Sequence, residues 1–193
     1  MSDPVVKIWF IDLKDGRGVL ETAFSGFWND AMFAAATYPT EQRGHHALYH
    51  CDDEPSLLAV VVGYSSEDMG AHVHRELARV VPRLAEWVTD RELLVMEASI
   101  FDFPLDSGSI VMSFSESKPS NADSLPGAGR WAERSPSLLN PDAAVDPKDP
   151  KNPKKRRWLH IAPAEDADQF KNLGDVKRFS MVLESHIASQ SAE

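Results

Sequence analysis

From residue 5 the chain opens on an apolar, β-rich run, VVKIWFIDL at 5–13, that reads as a strand ending in the turn Asp15-Gly16-Arg17-Gly18. The period then changes. Ser25 is a good N-cap, and Phe27, Ala31, Ala34 and Ala35 put one apolar face on a helix over 25–37, widened by Trp28 and Met32 and ended by Tyr38-Pro39. HHALYHC at 45–51 and LLAVVVGY at 57–64 read as a hairpin turning through Asp52-Asp53-Glu54-Pro55. The second of these strands is apolar on both faces, so it belongs in the middle of a sheet that is covered on both sides. Ser65 or Ser66 starts a second helix, with Glu67 and Asp68 in its first turn. Its stripe is Met69, Val73, Leu77, Val80, Val81, Leu84 and Val88, kinked at Pro82. LLVMEASIFDF at 93–103 is the fourth strand. Strand, helix, strand, strand, helix, strand is the split β-α-β-β-α-β pattern of a ferredoxin-like unit, an α+β class.

Beyond residue 106 the pattern is looser. SIVMSFS at 109–115 and RRWLHIA at 156–162 read as strands. Between them, 116–155 is rich in Ser, Pro, Asp, Lys and Gly and reads as a loop with one short helix near Trp131. Residues 164–188 read as helical, broken at Gly174, with Asp175 as a second N-cap. GYSSEDMGAHV after one strand echoes IAPAEDADQFK after another. The expected division is therefore a barrel unit over 1–106 and an extension over 107–193 that is a candidate degenerate second copy of the unit.

Composition narrows the function. With 193 residues, 42% hydrophobic and 26% charged, the chain can bury a core of ordinary globular kind. No apolar run reaches the roughly 18 residues of a membrane span, and the N-terminus lacks the layout of a secretory signal. The single cysteine, Cys51, points to a reducing compartment, so a cytoplasmic protein is expected. A net charge of −10 argues against a nucleic-acid surface. The local run Pro153-Lys154-Lys155-Arg156-Arg157 has the look of an import signal but reads as a solvated loop.

The candidate chemistry is histidine and aromatic. His46, Leu48 and His50 share one strand face, which spaces the imidazoles about 6–7 Å apart. They can serve as acid/base groups or hold a phenolate, and no metal is expected. Trp9, Trp28, Tyr64, Phe101 and Phe103 can line a flat pocket, against the plainer alternative of core packing. His72 sits just inside the second helix, and His74, about 200° further round, faces elsewhere. Cys51 beside Asp52 and Asp53 is a poor nucleophile, and Gly127-Ala128-Gly129 lacks the context of a phosphate loop.

The segments Gly70-Ala71-His72-Val73, Pro82-Arg83-Leu84 and Ile100-Phe101-Asp102-Phe103 resemble the dimeric α+β barrel superfamily. The likeness spans about residues 5–104 and is to its stress-responsive barrels, plant polyketide cyclases and antibiotic-biosynthesis monooxygenases. It implies a dimeric or pseudo-dimeric α+β barrel, a homodimer where one chain supplies one unit, and a pocket between sheet and helices. It further implies cofactor-free acid–base chemistry on a polyketide-like or phenolic small molecule in secondary metabolism, with His72 as acid/base. The assisting tyrosine of the cyclases falls at Ser66 here. Cyclisation or lactonisation is the first expectation. A cofactor-free monooxygenase and a non-catalytic ligand-binding barrel are the alternatives.

Overall fold

A computed structural model describes residues 3–18, 26, 44–66, 70, 81–136, 139 and 156–187. Eight strands among them close into an antiparallel barrel: β1 (Val5–Leu13), β2 (Gly44–Cys51), β3 (Leu57–Tyr64), β4 (Val88–Glu97), β5 (Ser109–Ser115), β6 (Ala128–Ser135), β7 (Arg156–Pro163) and β8 (Asp175–Ile187). Around the barrel they run β1-β3-β2-β8-β5-β7-β6-β4, and β4 returns to β1. Within β1–β4 the spatial order is fourth, first, third, second. The same order holds within β5–β8. The two seams are also alike, since each joins the second strand of one half to the fourth of the other: β2 to β8, and β6 to β4. One chain thus supplies both sheets, and neither is left with an open edge. No helix among the described residues is long and apolar enough to cross a membrane.

Period-2 alternation decides what fills the barrel. Val6, Ile8 and Phe10 of β1, Ala47, Tyr49 and Cys51 of β2, and Leu57, Ala59 and Val61 of β3 point inward. Leu94 and Met96, Ile110 and Met112, Leu159 and Ile161, and Phe179 complete the lining from the other strands. Phe10 meets Phe114 edge-on at 5.7 Å and Phe179 at 6.1 Å. Burying each large side chain is worth about 1.5–3 kcal/mol, so the packed lumen is the main source of stability. Tyr49 is fully buried there, and its hydroxyl donates to the Leu105 carbonyl at 3.0 Å. Outside β1–β3, Ile11, Leu48 and Leu58 pack with Leu84 of α1 (Val81–Leu84) and with Val88. This second layer is why β3 is apolar on both faces.

Four sequence expectations change. The fourth strand is Val88–Glu97 rather than 93–103, because Val88 opens a strand and does not close a helix stripe. Ile100–Asp102 is a short 3-10 helix capped by the Ser99 hydroxyl. Trp131 lies in β6, inside the segment read as a loop. The stretch read as a C-terminal helix is a 3-10 helix, Ala164–Phe170, followed by the 13-residue strand β8. Gly174, at φ 124°, makes the turn between them rather than a helix break. Of the two predicted helices, 25–37 and the one starting at Ser65 or Ser66, residues 25, 27–37, 67–69 and 71–80 lie outside the described residues.

One mouth of the barrel is closed by charge. Arg91 spans Asp12 at 2.7 Å and Glu54 at 2.6 Å, and Lys177 meets Glu54 at 3.0 Å. Arg157 meets Glu92 at 3.2 Å. Arg91, Glu92, Arg157 and Lys177 ring a small cavity of about 150 Å³ floored by Phe10, Leu57 and Phe114. The guanidinium and ammonium partners hold the Glu54 carboxyl down to about 2, while burial pushes the Cys51 thiol up.

Candidate active site

The outer wall of the second half brings two buried polar side chains together. Because Leu159 and Ile161 point into the barrel, Trp158 and His160 of β7 point out. Gly129 of β6 is paired with His160, and Trp131 with Trp158. A Cβ on Gly129 would stand 2.5 Å from Trp158 Cζ2, 2.7 Å from its Cε2 and 2.8 Å from His160 Nδ1. Only glycine lets the indole and the imidazole share that spot. Gly127, at φ 80°, lays the preceding loop flat on β7, where a Cβ would stand 2.1 Å from the Ile161 carbonyl oxygen.

The loop also fixes the state of the histidine. His160 Nε2 lies 2.8 Å from the Pro126 carbonyl oxygen. That oxygen can only accept, so Nε2 carries the proton and Nδ1 keeps its lone pair. Burial lowers the imidazole pKa below its usual value, against the opposing pull of the Pro126 bond, so the ring is neutral at pH 7. Phe170 packs on it at 5.1 Å, and Trp131 meets Trp158 edge-on at 5.6 Å. His160 is 2% exposed and Trp158 8%. Neither His160 Nδ1, an acceptor, nor Trp158 Nε1, a donor, has a hydrogen-bond partner among the described residues. Leaving a buried polar atom unpaired costs about 1–3 kcal/mol, so a pair of them at one place calls for an explanation.

A cleft of about 360 Å³ adjoins them. Its walls include Asp102, Leu125 and Arg130 besides the two rings. Arg130 donates to Asp102 at 3.0 Å on the rim. Asp102 follows β4, so the cleft draws on both halves of the chain. Chemically the site offers a lone pair that can take a proton, an N–H that can hold an oxygen, and a guanidinium near any anion that forms.

Sequence reasoning missed this site. His160 looked like one residue of the strand at 156–162, and Trp158 was not singled out. The signal lay in Gly-Ala-Gly at 127–129, dismissed as a phosphate loop, where each glycine is a point of close backbone approach. His72, His74 and Trp28 lie outside the described residues. His46 lies in β2, in register with Val62 of β3. His50 is held by the Pro55 carbonyl at 3.0 Å, a tie across its own hairpin. The four described aromatics of the five lie in different surroundings. Trp9 packs on the outer layer and donates to Asp90 at 2.6 Å, and Phe103 belongs to the barrel core. Phe101 is 71% exposed. Tyr64 is fully buried beneath Lys7, and burial drives its hydroxyl pKa far up. Among the described residues, no three His, Cys, Asp or Glu side chains gather as a metal set.

Two solved structures share this fold. One, from Fusobacterium nucleatum, is named "Putative monooxygenase" and aligns over 96% of this chain and 94% of its own, with a TM-score of 0.55 at 9% identity. The other, from Lactobacillus acidophilus and named "putative monooxygenase", aligns over 97% and 98%, with a TM-score of 0.51 at 11% identity. At such identities the likeness is one of fold, and it runs through both halves. No protein-family model matches the chain, and no curated protein matches its sequence.

Proposed function

We propose that this chain is a cofactor-independent enzyme that takes a proton from a small phenolic or enolisable molecule, and that oxygenation follows. The carrying observation is the neutral, buried His160, whose Nδ1 has no hydrogen-bond partner among the described residues and which lines a cleft. The shared strand order of the halves supports the reading of the chain as two tandem ferredoxin-like units, a pseudo-dimer in place of two subunits. The names of the two structural relatives favour oxygenation over cyclisation.

The step balances with dioxygen as the only co-reactant. His160 Nδ1 takes a proton from an activated CH2 of the substrate, and the carbanion that remains is delocalised into its phenolic ring. The carbanion's electron pair forms a C–O bond to O2, which is reduced to a peroxide. The imidazolium returns its proton to the distal oxygen. Loss of water then leaves C=O where CH2 stood. Arg130 stabilises the anion while it lasts.

Oxygen uptake with an anthrone or a cyclic 1,3-diketone, followed by product mass, tests this. His160→Gln is expected to lower turnover about 10²-fold or more, the scale of a lost general base. His72→Ala is run beside it. Loss confined to His72→Ala would move the base to the second helix, as the superfamily resemblance implies. Turnover that survives both variants, or no consumption of any enolisable substrate, would sink the reading.

A further inference from the structure

We infer that the charged mouth of the barrel is a second binding site, for a free amino acid with an apolar side chain, its carboxylate on Arg157 and its ammonium on Asp175. The inference is independent of the chemistry proposed for His160. The alternation that fills the lumen with apolar side chains carries on to this end with charged ones. Leu159 and Ile161 face inward on β7, so Arg157 does too, paired with inward-facing Ala132. Phe179 faces inward on β8, so Lys177 and Asp175 share its side, and Glu92 of β4 is paired with inward-facing Phe10.

Two cavities meet there. The inner one, about 150 Å³, lies on Phe10, Leu57 and Phe114. An outer one of about 640 Å³ is walled by Ser115, Glu116 and Arg156. Phe114, Arg157 and Asp175 line both, so they stand at the threshold between them. Gly174 fixes the start of β8 beside that threshold. At φ 124° its turn lies so close to β5 that a Cβ would stand 2.2 Å from the Phe114 carbonyl oxygen.

The ion pairs decide what the threshold can take. Arg91 is engaged by both oxygens of Asp12 and by Glu54, and Lys177 by Glu54. Glu92 lies between Arg157 at 3.2 Å and Arg134 at 3.7 Å. Arg157 thereby uses one of its N–H groups, and the others have no partner among the described residues. Asp175 makes no hydrogen bond or ion pair with any described residue, since Lys177 turns to Glu54 instead. With Asp175 included, these carboxylates equal these cations in number. A bare carboxylate or a bare ammonium would upset that balance. An α-amino acid brings one charge of each sign to the two groups left over, and its side chain covers the apolar floor of the inner cavity.

The probe is leucine, titrated into the full-length protein while the Arg157 Nε–H resonance is followed, assigned by its loss in Arg157→Lys. Saturable movement with a Kd in the millimolar range or tighter is expected. 4-Methylpentanoate and 3-methylbutylamine each keep the leucine skeleton but only one charge, and each should bind about 10-fold more weakly. Glycine, with no side chain for the floor, should lose about as much. Asp175→Asn should weaken leucine about 10-fold yet leave 4-methylpentanoate unchanged, with the parent's thermal melt, because Asp175 is exposed. 4-Methylpentanoate binding as tightly as leucine would make the mouth a plain anion site and overturn the inference. 3-Methylbutylamine binding as tightly would overturn it as a plain cation site. So would glycine matching leucine, Asp175→Asn weakening both carboxylates alike, or an Arg157 resonance that leucine does not move. The ligand series on the parent protein stands without the Asp175 variant.

Discussion

Gly63 and Ile100 lock one end of the barrel, and their coupling can be measured. Gly63 is opposite Val6 on the inward side of β3, and Ile100 lies in the 3-10 helix that follows β4. A Cβ on Gly63 would stand 2.3 Å from Ile100 Cβ, 2.7 Å from its Cγ2 and 2.9 Å from its Cγ1. Ordinary carbon contacts begin near 3.5 Å, so the 100–102 segment must retreat by about 1 Å. Overpacking of this kind costs about 1–3 kcal/mol. In a chain of this length that lowers Tm by roughly 2–12 °C. Ile100→Gly alone empties buried space and should cost more, about 3–5 kcal/mol, from lost packing together with backbone freedom. In the double variant Gly63→Ala/Ile100→Gly the new methyl enters the vacated volume. The two changes should then be less than additive by about 1–3 kcal/mol in urea titrations. Ile100→Ala should rescue Gly63→Ala only partly, since the nearest offending atom, Cβ, remains. Additivity within about 0.5 kcal/mol, or a Gly63→Ala variant as stable as the parent, would refute the claim that these atoms meet.

Three further outcomes follow from the charges and the core. Glu54 has a folded pKa of about 2, below its unfolded value, so its contribution is present above about pH 4.5 and is lost as pH falls toward 2. With the side chain 33% exposed, solvent screening holds that contribution to about 1 kcal/mol, and Glu54→Gln should flatten the melt–pH curve in that window by this amount. His160 acts in the same direction at higher pH: burial depresses its folded pKa below about 6.5, so stability should fall as pH drops through and below that value, and His160→Gln melts should lack that fall. Tyr49→Phe leaves the buried Leu105 carbonyl without its donor and should cost about 1–3 kcal/mol in denaturant titration; a neutral change would mean the hydroxyl bond is not made.

How much of this was legible depends on whether a segment's alternation shows. β1, β3 and β5 are the stretches where apolar residues dominate, and the predicted spans 5–13, 57–64 and 109–115 match the strands seen. β6 buries Ala132 alone among its eight residues, so AGRWAERS carries almost no apolar signal. It is a strand because β4 and β7 pair with it on either side. β8 was read as a helix because DVKRFSMVLESHI has apolar residues at both spacings. Its period of 2 matters only once β2 and β5 flank it and Phe179 has the barrel to enter. β4 was cut short at its start because Arg91 and Glu92 look like loop residues, whereas they meet partners from other strands at the charged mouth.

The site was hidden for a related reason. The Glu-Asp echo noticed in the sequence falls after the third strand of each half, β3 and β7, so the halves do correspond in their order. In the second half the connections from β5 to β6 and from β7 to β8 are carried by short 3-10 turns, Ala122–Ser124 and Ala164–Phe170. A 3-10 turn of three to seven residues buries little, here Ala122 and Phe170. The outer face of β7 therefore needs something other than a helix above it, and it has the 125–127 loop tied down through the His160–Pro126 bond. A wall closed by one hydrogen bond and two glycines has little buried area to hold it shut. The unpaired Nδ1 and Nε1 lie under this loop-covered wall. A hydrogen-exchange measurement bears on this directly. Amides of 125–130 should exchange faster than those of β3 and β5, and His160→Gln, which alters the tie to Pro126, should speed that stretch alone. Protection of 125–130 equal to the barrel core would show the wall does not open, and the cleft would then be a buried structural contact.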